Sequence, residues 1–331
     1  MACSQEQAIA RCKLKLVERS FELRGQSGLG KKPKPEVIGP VLTHLHDTLQ
    51  DSVRMGFLHS SRATGRIPAS LRAAAEVRFV AHSSSSDNVT ILRFEVPLLG
   101  EAAPDWFQQK LLWEEGPKRN ETAFDLLAGA LTDVKKRRKE SSRYDTGLLR
   151  RISSYRHMLK RGLESIALPD TDRGPGESPE IDAMAVSAAS ELSASTPPPR
   201  RVRIAGRLDV LGASQAILKV DIKPGQAVTA LWQGNLPIEA LHDFFNRDVV
   251  LEGNGIFRAS GSILRIDADA MSLAGAGDDL FRNLPEALVL RDCDSQIRLR
   301  PGEKSFYARI FGSIPAEESD ADFAAAVEEL S

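Results

Sequence analysis

Residues 131–165 hold 11 basic and four acidic side chains. Lys135, Lys136, Arg137, Arg138 and Lys139 form an unbroken run, and Arg150, Arg151, Arg156, Lys160 and Arg161 follow it. Cations at a helix C-terminus offset the helix dipole, which accounts for part of the run. Five in succession exceed that need. A dense set of Lys and Arg is the footprint expected for contacts to nucleic-acid phosphates or to an acidic protein surface. A merely solvated face is the plain alternative.

Other residues are weaker candidates. Gly25-Gln26-Ser27-Gly28-Leu29-Gly30-Lys31 carries the letters of a phosphate-binding loop. Such a loop needs Ser or Thr next, then a helix whose first amides face the phosphates. Lys32 follows instead, and Pro33 and Pro35 oppose a helix start. His44 and His46 are two apart, so a helix splits them across faces and they make a poor metal pair. No serine sits in a GxSxG elbow. Cys3, Cys12 and Cys293 are far apart, which reads as reduced thiols in a cytoplasmic protein. No metal and no cofactor is expected.

The elements that must position these residues fall into an α+β plan. Residues 1–168 read as a basic, mixed α+β domain. Ile38, Val41, Leu42, Leu45, Leu49 and Val53 make one helical stripe over 36–55. Val77–Ala81 and Val89–Val96 read as strands around a Ser83–Asn88 turn. Thr122 is an N-cap for a helix carrying Phe124, Leu127, Leu131 and Val134. A further helix starting at Asp145 or Thr146 aligns Leu149, Ile152, Tyr155, Leu159, Leu163 and Ile166. Residues 169–200 are rich in Ser, Ala, Pro and acid and hold no aromatic side chain. They read as a disordered linker, because they offer little apolar area to offset ordering entropy.

After the linker the pattern switches to short strands. Val202, Ile204, Leu208 and Val210 fall on one face, then Leu218, Val220 and Ile222. Pro224-Gly225 turns into a strand over Ala227–Trp232, and Pro237 opens a short helix through Leu241 and Phe245. Val249–Phe257 and Ser262–Ala268 are the last two strands, with Ala259-Ser260-Gly261 between them. This order of strand, strand, strand, helix, strand, strand resembles the OB-fold, over about 70 residues. The resemblance implies a five-stranded β-barrel domain, assigned to 201–311.

Two further resemblances concern function. Asp209, then Asp221 and Lys223, is similar to the core of RecB-type nucleases of the PD-(D/E)xK class. That resemblance implies carboxylates on magnesium and a lysine that helps activate water. The upstream acidic helix and following Gln-bearing helix of that pattern are missing. Residues 312–331 resemble C-terminal tails of bacterial antitoxin-like proteins. Ser319 caps a helix there, and Phe323, Val327 and Leu330 form its apolar face. That resemblance implies an antitoxin or immunity role exercised through a partner-binding tail.

The formal net charge of −1 conceals a cancellation. Residues 1–165 carry a surplus of nine positive charges, residues 166–200 a deficit of four and residues 201–331 a deficit of six. The balance excludes a uniformly basic protein. The acidic C-terminal part argues against the barrel as a reader of single strands, although Arg203, Arg207, Arg258, Arg265, Trp232 and Phe257 are of the right type. No apolar run approaches the roughly 20 residues of a membrane span. The expectation is a non-catalytic binding or regulatory protein of bacterial type. Its basic domain would contact nucleic acid or an acidic protein, and its barrel and tail would contact protein.

Overall fold

The computed structural model describes residues 15–25, 29, 35–62, 67–108, 116–169, 179–212 and 217–287. The N-terminal body is built on β1 (Leu16–Gly25), whose alternation points Phe21 and Leu23 into the core. β2 (Arg78–Ser86) and β3 (Val89–Pro97) form a hairpin, and β3 pairs with β1 from Leu16↔Pro97 to Arg24↔Val89. β4 (Leu163–Ala167) and β5 (Glu180–Ile181) complete a five-stranded antiparallel sheet in the order β2-β3-β1-β4-β5. One face carries Leu92, Phe94 and Val96 into the core, where Phe21 meets Phe94 and Phe124 ring to ring. The opposite face is polar, with Arg93 paired to Glu18 and Arg24 to Glu22.

Helices cover the apolar face. They are α1 (Pro35–Leu58), α2 (Ala123–Lys135), α3 (Thr146–Ser154), α4 (Arg156–Leu159) and α5 (Ala183–Ser195). The expected stripe on α1 is real, with Val41, Leu45, Leu49 and Val53 all buried. Asp125 accepts both the Thr122 backbone N–H and its hydroxyl at the start of α2.

Three expectations need correction. Ser83–Ser86 belong to β2, and the hairpin turns at Asp87-Asn88. The single face drawn from Leu149 to Ile166 is broken. Gly162 takes a left-handed φ of 98°, and Leu163 and Ile166 belong to β4. The stretch read as a linker contains β5 and α5. Asp182 caps α5 by accepting from the Ala185 N–H at 2.7 Å. Ala185, Ala188 and Ala189 are fully buried, and their small side chains let α5 pack against α3. Residues 170–178 lie outside the described residues.

Residues from Arg200 onward form a closed barrel, compatible with the OB-like order. β6 (Arg200–Gly212), β7 (Ile217–Lys223), β8 (Gln226–Trp232), β9 (Asp248–Phe257) and β10 (Ile263–Leu273) close as β10-β8-β7-β6-β9. Only the β8–β10 pairing is parallel. Its interior holds Ile204, Leu208, Val220, Val249, Leu251, Phe257 and Ile266. A 3-10 helix, Ile238–Phe244, supplies Leu241. The barrel's outer side is not all solvated. Ile217, Leu231, Ala259 and Leu264 join the core of the α+β body, and both belong to one compact unit running to Val289.

Candidate anion-binding surface

The basic segment divides into cations used by the fold and cations left at the surface. Lys135 Nζ sits 2.9 Å from Asp182 and 3.3 Å from Glu180. Arg137, in a left-handed conformation just past α2, grips Glu191 with two nitrogens, at 3.0 and 3.3 Å. All three carboxylates come from the acidic 166–200 stretch. Arg138 lies 3.0 Å and Arg143 3.5 Å from the buried Asp133 carboxylate. Arg151 bridges Asp47 at 3.1 Å and Asp51 at 3.0 Å across to α1. Burial pushes the Asp51 carboxyl upward, and the hydrogen bond and charge from Arg151 only partly offset it. Arg156 donates to the Ser190 hydroxyl at 3.1 Å.

The remainder stays exposed. Arg150 lies on α3, Lys160 and Arg161 follow α4, and none of the three has an ion-pair partner among the described residues. Lys136 and Lys139 are exposed in the loop after α2. Of the ten cations in the predicted surface, Lys135, Arg137, Arg138 and Arg151 are thus paired with carboxylates of the fold. The acid of the stretch expected to be linker neutralises part of that surface.

A cleft beside this loop escaped the sequence altogether. It encloses about 870 Å³ between α1, α2, residues 116–121 and residues 138–143. Met55, Gly56, Pro117, Leu126 and Gly129 form its apolar part, and Lys118, Arg138, Lys139 and Arg143 its cationic part. The only signal for it in the chain was Gly56 and Gly129, two glycines interior to helices that otherwise disfavour them.

Behind the cleft lies a polar seam between the α+β body and the barrel. Arg265 is 5% exposed, donates to the His59 carbonyl at 2.6 Å and to Asp267 at 2.8 Å, and lies 3.7 Å from Asp145. Asp145 also accepts from the Ser61 N–H at 3.0 Å, from its hydroxyl at 2.5 Å, and from Leu148 N–H at 2.9 Å. Glu140 accepts from Ser262 across the same seam at 2.7 Å. A hydrogen bond from Ser260 holds the Glu140 carboxyl below its ordinary range, against the upward pull of burial. Burial, followed by the Arg258 and Arg265 charges, depresses the His59 imidazole to about 4.

Comparison with family models, with curated proteins and with solved structures finds no match to this chain. The site must therefore be read from its own geometry.

That geometry removes the nuclease arrangement. Asp209, at the bulge between Leu208 and Val210 on β6, is exposed. Asp221 on β7 lies opposite Arg207, and the exposed Lys223 donates to Asn283 at 2.6 Å. Strands of a closed barrel carry all three, where the nuclease core requires a helix after the lysine. Among the described residues no group of three or more His, Cys, Asp or Glu could hold a metal. His44 packs edge-on against Tyr155, and His46 shares a 2.8 Å hydrogen bond with Gln50.

The barrel's candidate strand-binding groups are also committed to the fold. Phe257 is buried, and the Trp232 indole N–H donates to the Leu236 carbonyl at 2.9 Å. Arg203 pairs with Glu252 at 3.1 Å and stacks on Phe281, and Arg207 binds Asn246. No helix of the described residues is long and apolar enough to cross a membrane. Phe323, Val327 and Leu330, with the whole 312–331 tail, lie outside the described residues.

Proposed function

We propose that this chain is a non-catalytic binding protein that engages a polyanion, nucleic acid in the first instance, through Arg150, Lys160 and Arg161. Lys136, Lys139 and Arg156 flank that set. The observation that carries the reading is selective neutralisation. Lys135, Arg137, Arg138 and Arg151 are matched by carboxylates within the fold, while Arg150, Lys160 and Arg161 are exposed and have no carboxylate among the described residues. Exposed, unmatched cations that neutralise phosphates displace the counterions condensed on the polyanion, a large source of salt-dependent affinity. The barrel acts as a protein-contact module in this reading. Its outer side already serves that purpose within the chain, through Ile217, Leu231 and Leu264.

The test is titration of the full chain with labelled single-stranded and duplex DNA and RNA across a salt series. Binding that weakens linearly in log salt is expected. Absence of binding at low salt, or binding indifferent to salt, contradicts the proposal. Salt-dependent binding to polyglutamate but not to oligonucleotides moves the partner class to an acidic protein.

A further inference from the structure

We propose that Glu191 is an internal stand-in for a ligand phosphate, which holds Arg137 in reserve at the margin of the polyanion surface and so limits that surface's affinity. The inference rests on the surface reading above and deepens it. The Arg137 pair differs from the other ion pairs of the basic segment. Asp182 and Glu180 hold Lys135 in a partly buried setting, and Arg138 and Arg151 reach the buried Asp133 and Asp51. Arg137 and Glu191 instead keep 49% and 55% of their side chains exposed. An exposed ion pair contributes little to stability, and its charges stay within reach of a ligand.

The backbone supplies a second observation. The helix α2 ends in a Schellman-type turn, in which the Arg138 N–H donates to the Asp133 carbonyl at 3.0 Å and the Arg137 N–H to the Val134 carbonyl at 2.9 Å. Such a turn needs a left-handed residue, and Arg137 provides it with a φ of 49°. Glycine adopts that conformation without steric cost, whereas arginine does not. The chain thus keeps a long cationic side chain where its backbone is penalised. A weak surface ion pair does not account for that, and a contact to ligand does.

The surroundings of Glu191 form a seat for an anion. Its carboxylate accepts twice from the Arg137 guanidinium, at 3.0 and 3.3 Å, and once from the Ser187 hydroxyl one turn earlier on α5, at 3.1 Å. Hydrogen bonds from Arg137 and then Ser187 hold the carboxyl below its ordinary range, so it is ionised at neutral pH. A guanidinium fork fits phosphate as well as it fits carboxylate. The preceding residue, Ser190, takes a hydrogen bond from Arg156 at 3.1 Å. Arg137 and Arg156 therefore meet adjacent residues of α5, which sets Arg137 beside the cations of the proposed surface. While Glu191 fills the fork, Arg137 makes no phosphate contact and the carboxylate repels an approaching strand.

A salt-series titration of the full chain with a labelled oligonucleotide tests the proposal on wild type, Glu191→Gln, Glu18→Gln, Arg137→Gly, and Arg137→Gly combined with Glu191→Gln. Glu18 is the matched control, because it pairs with Arg93 in a similarly exposed setting on the polar face of the sheet. Glu191→Gln should tighten binding by about fivefold near about 0.1 M salt and steepen the slope of log K against log salt by about 0.7–0.9, the value of one phosphate contact. Adding Arg137→Gly should return the slope to that of wild type. Arg137→Gly alone should raise the melting temperature, since glycine relieves the left-handed backbone. A lowered melting temperature would assign the arginine a structural role and overturn the proposal. An equal gain from Glu18→Gln, or no gain from Glu191→Gln while wild type binds, overturns the gate and leaves the surface reading intact. If neither wild type nor Glu191→Gln binds, both fall together.

Discussion

Lys135 Nζ stands 2.9 Å from Asp182, so the first cation of the basic run is neutralised by the N-cap of a helix built from the acidic stretch. Asp182 therefore does two jobs, capping α5 and holding Lys135. Burial lifts its carboxyl, but hydrogen bonds from Lys135 and the Ala185 N–H, with the Lys135 charge, outweigh that and leave it below the ordinary value. Asp182→Ala should cost about 1–2 kcal/mol in urea unfolding, and Asp182→Asn less, because Asn caps as well as Asp. A depressed carboxyl stabilises the fold above its ordinary pKa and ceases to do so as pH falls through the folded value. The difference between wild type and Asp182→Asn should thus vanish at strongly acidic pH. An equal difference at pH 7 and at pH 2 would refute the pairing.

Arg265 is the most committed charge in the seam, buried with Asp267, Asp145 and the His59 carbonyl around it. Arg265→Ala leaves Asp145 and Asp267 short of a partner in a buried setting. The expected loss is about 3 kcal/mol, with amide exchange rising together at Ser61 and along β10. A loss under 1 kcal/mol would mean that the seam contributes little to holding the barrel against the α+β body.

His59 predicts a pH dependence of its own. Its folded pKa is about 4, lowered by burial and by the Arg258 and Arg265 charges, against an ordinary value of 6.5. Between these values the unfolded chain binds a proton that the folded chain does not. Stability should therefore fall as pH drops from 6.5 toward 4, by up to one proton's slope. His59→Asn, a residue tolerant of the left-handed φ of 50° at this position, should flatten that part of the profile. An unchanged profile in the variant would rule His59 out as its source.

Barrel closure depends on close backbone approach at Gly253. A Cβ there would run into the Asp267 carbonyl of the neighbouring strand. Gly253→Ala should destabilise the fold by about 1–3 kcal/mol through overpacking. Gly225, at a turn with φ of 77° and open space around it, should tolerate Asn at little cost, which calorimetric melting can check.

The fold was legible where local signals agreed. The α1 stripe, the Thr122 cap, the Pro224-Gly225 turn and the strand order of the barrel all follow from spacing and turn chemistry. The composition of the 180–195 segment hides its helix, because composition measures apolar area and α5 packs by small size instead. Ala185, Ala188 and Ala189 bury little surface each but allow close helix contact. The helix drawn through Ile166 failed for a local reason, the left-handed Gly162. The site was legible only in part. Sequence located the cations, but Lys135–Asp182, Arg137–Glu191 and Arg151–Asp51 join positions 47, 54 and 100 residues apart, and such pairings are tertiary facts. The cleft, assembled from four separate segments, could not be read locally at all.

The most direct test of the central claim is fluorescence anisotropy of the full chain with a labelled oligonucleotide, wild type against Arg150→Ala with Lys160→Ala and Arg161→Ala. Each phosphate contact contributes roughly 0.7–0.9 to the slope of log K against log salt, so the triple variant should lower the slope by about 2–3. Its melting transition should be unchanged, since all three residues are exposed. An identical slope in the two proteins, or no binding by wild type at low salt, would contradict the account.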